Sequence, residues 1–335
     1  MTAVVTGAGG FVGRHLAVRL AASGSDVVAS DLRDPSIAGT STVLCDVTDR
    51  AACDRLVAGA TTVFHVASMV QTRRADGDRV WAVNHGGTKT LMAAAKAAGV
   101  RRFVYVSSAS VVYQGRDIEY GDESLPYSPV SQAPYADSKI AAERHVLAAS
   151  ETGGMRTCAV RPHVVYGPGD GRFLPAIVAR AKGGSLRWGV GREDKLSDFT
   201  YIDNLVDALV LADRKLEADA SLGGRVWFVT NGEPVTFWGF IDRVLREMGL
   251  PATKGRVPYG VAYGVAALVE RTNALLGRGG GPESGMTRFA IRYMCTHHYF
   301  SIERARKDLG YEPAINIDEG IRRTVLHLRE SGALS

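Results

Sequence analysis

The chain has 335 residues, 46% of them hydrophobic and 22% charged, with a formal net charge of +5. Those totals suit a soluble globular protein of one large or two closely packed domains, with apolar residues enough for a sizeable core. Its basic residues are scattered apart from Arg73-Arg74 and Arg101-Arg102, which leaves no nucleic-acid footprint, and no run of about 18 apolar residues is present to span a membrane.

In chain order, "TAVVT" (2–6) is a buried strand that runs straight into a glycine loop, not the layout of a signal peptide. A helix follows from Phe11 to about Ser23, then strands at 26–31 and around Val43–Leu44, and a helix around 49–58. "TTVFHVA" (61–67) is a strand, 78–98 a helix, "RFVYVSS" (102–108) a strand, 133–145 an alanine-rich helix and "TCAVRP" (157–162) a strand. Short apolar strands alternating with helices argue for βαβ units. The expected fold class is therefore α/β, a doubly wound Rossmann-type parallel sheet with a smaller C-terminal substrate lobe.

Beyond Arg161, glycine and proline become frequent, as in "YGPGDGRFLP" and "LGRGGGPESG". "FTYIDNLVDALVLA" (199–212) reads as a strand entering a helix, "GRVWFVTNGEPVTF" (224–237) as a strand and loop, and "TFWGFIDRVLREMG" (236–249) as a helix. The expected division is a dinucleotide-binding domain over 1–165, with returns to its sheet near 199–231, and a substrate lobe from 166–198 and 232–335. Gly279–Gly281 reads as a loop. The stretch 257–276 is apolar, too short to span a bilayer, and suits either a peripheral amphipathic helix at the substrate mouth or a core-facing helix. The four cysteines, Cys45, Cys53, Cys158 and Cys295, match no metal-ligand spacing and read as reduced thiols of a cytoplasmic protein.

Gly7, Gly10 and Gly13 are spaced G-x-x-G-x-x-G between the first strand and its helix. Glycines there allow a tight turn and close approach of a pyrophosphate. The helix N-terminus, opened by Phe11 and Val12, offers free N–H groups and the positive end of a dipole. Asp31 ends the second strand, 18 residues after Gly13. A carboxylate there accepts from a ribose 2′-hydroxyl and repels a 2′-phosphate, which favours NAD. Arg33 nearby can hold a 2′-phosphate, so NADP stays open. Asp46 and Val47 can frame an adenine, or Asp46 can simply make a turn. "VFHVAS" (63–68) ends at small residues, Ala67 among them, where a ribose or phosphate can pass; His65 there reads as structural.

Ser107, Ser108 and Ser110 stand at the end of the 102–108 strand. Tyr135 and Lys139 share a helix face one turn apart. A nearby ammonium favours the phenolate, so the pair can supply a general base. Serine, tyrosine and lysine in this order suit a nicotinamide site that takes a proton from an alcohol.

At "TGAGGFVG", Asp31, "CDV", "FHVAS", "SSAS", "YADSK" and "RPHVVYGPGDGRF" the chain resembles the extended short-chain dehydrogenase/reductase family. The resemblance implies that Ser108 is the catalytic serine, Tyr135 the base and Lys139 its partner, with Pro162 to Val164 beside the nicotinamide. Within that family "SSASVVYQGRDIEYGDESLPY", "SDFTYIDNLVDALVLA" and "MTRFAIRYMCTHHYFSIERARKDLGYEP" are most similar to the 3β-hydroxysteroid dehydrogenase group, particularly its sterol-4α-carboxylate 3-dehydrogenases. The membrane-spanning segment of some eukaryotic members has no counterpart here. The activity implied is NAD-dependent oxidation of a sterol or steroid 3β-hydroxyl, with decarboxylation where a 4α-carboxyl is present. The alternatives are an NADPH-dependent 2-alkyl-3-ketoalkanoate reductase and a nucleotide-sugar epimerase. The partners expected are a lipid substrate, a second copy of the chain in a homodimer, and at most a peripheral membrane contact; no metal is expected.

Overall fold

The computed structural model describes residues 2–72, 74–151, 153–192, 194–275 and 287–331. The glycine run 279–281 lies outside them, as does Arg73. Strands β1 (Thr2–Thr6), β2 (Asp26–Asp31), β3 (Ser41–Leu44), β4 (Thr62–His65), β5 (Arg102–Val106), β7 (Arg156–Pro162) and β12 (Val226–Val229) form one sheet. Their order is β12-β7-β5-β4-β1-β2-β3, and every pair is parallel. The sheet is thus doubly wound, and the strand order switches direction between β1 and β4.

Side chains alternate across each strand, so one strand feeds two cores. Ala3 and Val5 join Leu16 of α1 (Phe11–Ala22) and Leu209 of α7 (Ile202–Ala218) on one face. Val4 joins Leu56 of α2 (Arg50–Val57), Leu91 of α4 (Thr88–Ala97) and Val146 of α5 (Pro134–Ala148) on the other. Asp49 starts α2 by accepting from the N–H groups of Ala51 at 2.9 Å and Ala52 at 3.2 Å. Arg102, from the basic pair seen in the sequence, is buried and donates to Asp213 at 2.6 Å.

The expected single helix over 78–98 is interrupted. A short α3 (Gly77–Trp81) passes into a π-helical segment at Ala82–Gly87 before α4 begins. Its sequence, "AVNHGG", holds two glycines and an asparagine, all weak helix formers. Side-chain hydrogen bonds described below hold the widened turn.

A smaller sheet joins three strands beyond β7, β13 (Val235–Thr236), β10 (Leu196–Ser197) and β15 (His298–Phe300), to β6 (Ile118–Gly121), which lies between β5 and α5. Two further pairs are β8 (Val165–Tyr166) with β11 (Thr200–Tyr201), and β9 (Gly189–Val190) with β14 (Arg256–Val257). Helices α6 (Phe173–Lys182), α8 (Phe237–Glu247), α9 (Tyr259–Leu275), α10 (Arg288–Met294), α11 (Glu303–Leu309) and α12 (Ile317–Glu330) complete this part. Its aromatic residues are mainly core: Phe199 stacks on Phe240 at 3.7 Å between centroids, with Phe173 and Phe237 around them. Trp188 and Tyr259 are exceptions and stand exposed. Ala262 and Ala266 face the core, whereas Val261, Val265 and Leu268 of α9 face outward. No helix among the described residues is long and apolar enough to cross a membrane.

Candidate active site

The turn from β1 into α1 is built by glycine. Gly7 has φ +70°, and a Cβ on it would lie 2.7 Å from the backbone nitrogen of Ala67. A Cβ on Gly13 would collide with the carbonyl oxygen of Gly7. Gly10 is the N-cap of α1 and supplies no side chain, so the first N–H groups of the helix, at Phe11, Val12 and Gly13, have no side-chain cap. That cradle fits a pyrophosphate. Asp31 closes it from β2, its Oδ2 accepting from Gly9 N–H at 2.9 Å and its Oδ1 from Leu32 N–H at 2.7 Å. Arg33 is exposed.

Asp46 follows β3 and holds its own turn, accepting from Thr48 N–H at 2.9 Å and Thr48 Oγ1 at 2.7 Å. Val47 is buried against Gly87, where a Cβ would lie 2.6 Å from Val47 Cγ2. Ala67 N–H donates to Thr6 Oγ1 at 3.2 Å. Pro162 ends β7, and Val164 has φ +31°, a strained value for a β-branched residue. All of these stand at the carboxyl ends of parallel strands, where doubly wound sheets bind ligands.

Beside the cradle lie Ser108, Tyr135 and Lys139. Ser108 follows β5 and accepts from Ser110 N–H at 3.2 Å and from Ser110 Oγ at 2.9 Å. Burial pushes the half-buried Tyr135 phenol up, while a hydrogen bond with Ser108 and the charge of Arg172 draw it down. Lys139 Nζ donates to Val106 O at 2.7 Å and sits 4.5 Å from the Tyr105 ring centre. Burial brings that amine down to about 7, with Glu143 opposing. Glu143, the next turn of α5, accepts from Arg161 Nη2 at 2.5 Å and Tyr127 Oη at 2.8 Å.

His65 is fully buried, with Nδ1 at 2.8 Å from Thr6 Oγ1 and Nε2 at 2.9 Å from Thr88 Oγ1. Burial and the Lys139 charge lower it to about 3, so it stays neutral and structural.

The description "3-beta hydroxysteroid dehydrogenase/isomerase family" matches residues 4–258. The chain belongs to that family. It is 34% identical over 334 residues to a mouse (Mus musculus) sterol-4-alpha-carboxylate 3-dehydrogenase, decarboxylating, covering 97% of this chain and 91% of that protein. It is 36% identical over 328 residues to a 2-alkyl-3-oxoalkanoate reductase of Stenotrophomonas maltophilia (strain K279a), covering 96% and 98%. Among solved structures, a short-chain dehydrogenase/reductase superfamily protein from Agrobacterium tumefaciens with bound NAD superposes with a TM-score of 0.76 at 25% identity, covering 99% and 98%. This member of the 3-beta hydroxysteroid dehydrogenase/isomerase family is an NAD(P)-dependent oxidoreductase.

Three features of this family member escape a reading of its sequence: Asn84, the ring partner of His163, and a cavity. Asn84 sits in the π-helical segment, accepts from Met69 N–H at 2.7 Å, and donates to Met69 O and to Ser138 Oγ, both at 3.0 Å. It clamps the loop after β4 to the Tyr135 helix. The signal was the Asn-His-Gly-Gly run inside a helical pattern, since π-bulges gather at functional sites. His163 lies between Pro162 and Val164, buried, with Nε2 at 2.6 Å from Tyr293 Oη. The third is a cavity of about 410 Å³ lined by Gly115, Arg192, Tyr259, Arg292, Cys295 and Thr296. Asp117, Glu119 and His297 bring ligand atoms within 4.8 Å of one another, but Asp117 is already spent on Lys195 Nζ at 2.7 Å and His297 N–H at 2.9 Å.

Proposed function

We propose that this protein oxidises the 3β-hydroxyl of a sterol or steroid with NAD, and that a 4α-carboxyl, where present, leaves as carbon dioxide. The observation that carries the reading is Tyr135 hydrogen-bonded with Ser108 and one turn from Lys139, beside the glycine cradle. Gly7, Gly10, Phe11, Val12 and Gly13 take the pyrophosphate. Asp31 takes the adenosine ribose, Asp46 and Val47 flank the adenine, and Ala67, Pro162 and Val164 face the nicotinamide half. NAD, when bound, supplies the hydride acceptor. Tyr135 takes the proton from the 3-hydroxyl, Ser108 donates to the same oxygen, and Lys139 holds the ribose and favours the phenolate. Oxidation beside a carboxylate gives a β-keto acid. Its C–C bond breaks to carbon dioxide and an enol without a dedicated base. Residues 166–198 and 232–335 form the substrate lobe.

The names of the two relatives support an acid: each denotes a carboxylate with oxygen on the third carbon. The second reading, reduction of a 2-alkyl-3-keto acid, is favoured by the 36% identity to a 2-alkyl-3-oxoalkanoate reductase over 98% of that protein. Cofactor turnover with 4α-carboxysterols, plain 3β-hydroxysterols and long-chain 2-alkyl-3-hydroxy acids tests both. Turnover of the sterols with NAD supports the first reading. Turnover confined to the 2-alkyl acids rejects it.

Asp31 sets the preference for NAD. Its carboxylate makes charge-assisted hydrogen bonds to ribose hydroxyls and meets a 2′-phosphate with like charge. Asp31→Ala should lower kcat/KM for NAD and raise it for NADP. A parent protein that already prefers NADP refutes this.

α9 rests on a membrane surface. Tyr259 opens it at the cavity, and Val261, Val265 and Leu268 expose an apolar stripe along it. A lipid-soluble substrate would then enter from the bilayer interface. Sedimentation with liposomes should fall when Val265 and Leu268 become glutamate. A parent that never sediments with them contradicts it.

A further inference from the structure

We propose that Arg172 receives the carboxylate of the substrate beside Tyr135, so that this site selects 3-hydroxy or 3-keto acids over their neutral counterparts. The inference rests on the reading of the substrate as a lipid oxygenated at carbon 3, and narrows it to the acid.

Arg172 precedes α6. The buried Asp170 carboxylate accepts from the backbone N–H groups of Arg172 at 2.8 Å, Phe173 at 3.0 Å and Leu174 at 2.8 Å. The helix end is therefore already satisfied, and what this corner offers an anion is the guanidinium itself. That group is exposed and donates from Nη1 to Val70 O at 2.9 Å. No carboxylate pairs with it among the described residues. A guanidinium has five N–H donors in a planar fork, so a bidentate pair with a carboxylate is still open to it.

Its position is fixed with respect to Tyr135. Val70 follows Met69, which Asn84 holds at both N–H and C=O. Asn84 Nδ2 also donates to Ser138 Oγ at 3.0 Å, and Ser138 Oγ donates to Tyr135 O at 2.8 Å. One hydrogen-bonded network thus ties the rim that carries Arg172 to the helix that carries Tyr135. The charge of Arg172 is felt at the Tyr135 phenol.

The substrate's own geometry matches. In a 3-hydroxy acid three bonds separate the oxygen from the carboxyl carbon, no more than about 5 Å. With the oxygen seated at Ser108 and Tyr135, the carboxylate would extend toward the rim that this network ties to the Tyr135 helix, where Arg172 stands. The other arginines nearby are engaged: Arg192 pairs with Asp194 at 2.9 Å, and Arg292 donates to Tyr263 Oη at 3.0 Å.

The test compares kcat/KM of the parent, Arg172→Gln and Arg172→Lys on a 3β-hydroxy-4α-carboxysterol and on its methyl ester. A long-chain 2-alkyl-3-hydroxy acid and its methyl ester form a second pair. Arg172→Gln should lose roughly 10- to 100-fold more on the acid than on the ester, mainly through KM, the range for a hydrogen bond to a charged group. Arg172→Lys should recover part of that difference. Equal losses on acid and ester overturn the assignment of Arg172 and leave the substrate reading standing. A parent that turns over neither acid nor ester overturns the substrate reading, and Arg172 with it.

Discussion

Tyr135→Phe should lower kcat by roughly 10²–10⁴-fold, the contribution expected of a general base, while NAD affinity stays within a few-fold. The phenyl ring keeps the packing of α5 and removes only the oxygen that meets Ser108. Burial holds that phenol high, so the oxidation rate of the parent should rise with pH, and the variant should lose this rise. Single-turnover reduction of NAD, with cofactor affinity from calorimetry, separates chemistry from binding. A variant that turns over within a few-fold of the parent would remove Tyr135 from the mechanism. Ser108→Ala should lie between the two, since it deletes a donor but leaves the base.

The second large effect is on stability. Glu143→Ala should destabilise the fold by about 3–5 kcal/mol, the usual consequence of removing one partner from a buried ion pair. Both side chains are out of water, Arg161 at 3% exposure and Glu143 at 0%. Arg161 Nε lies 3.1 Å from both carboxylate oxygens, in addition to the Nη2 contact, and Tyr127 shares the same carboxylate. Arg161 Nη1 is already buried without a hydrogen-bond partner. The loss is not the net worth of the pair. Glu143→Leu with Arg161→Met, apolar and of similar volume, should recover most of it. Urea unfolding of the parent and the two variants measures this; a Glu143→Ala variant less than about 1 kcal/mol below the parent would contradict it.

The dinucleotide-binding half was legible because its strands are long enough to show their pattern. Runs such as "AVV" in β1 and "FVYV" in β5 put apolar residues on both faces, as strands buried on both faces must. The lobe beyond β7 was not. β8, β9, β10, β11, β13 and β14 have two residues each, too few for any periodicity, and Ser197 pairs with Val235 and His298 far along the chain. In the site, Gly7, Gly13, Asp31, Ser108, Tyr135 and Lys139 could be named because each sits at fixed spacing next to a recognisable strand or helix. Asn84 could not, because a helical reading of 78–98 gives its side chain nothing to do until the π-helical turn aims it at Met69. Arg172 sits in the run "RPHVVYGPGDGRF" with no partner visible in the sequence, since only the fold brings the loop after β4 and the start of α6 together. Glu143 continues the spacing of Tyr135 and Lys139 by one more turn, so that stripe was visible in principle. Its partner Arg161 lies on β7 rather than on that helix, and the pairing was not.

The proposed reaction is hydride transfer from carbon 3 of a hydroxylated sterol acid to NAD. It is tested most directly with a 3β-hydroxy-4α-carboxysterol carrying deuterium on carbon 3, incubated with the protein and NAD and followed by mass spectrometry. Deuterium should appear in the reduced nicotinamide, beside a 3-ketosterol that has lost its carboxyl group. Unlabelled, still-oxidised NAD and intact sterol, from protein that reduces a 2-alkyl-3-keto acid with NADPH, would contradict it.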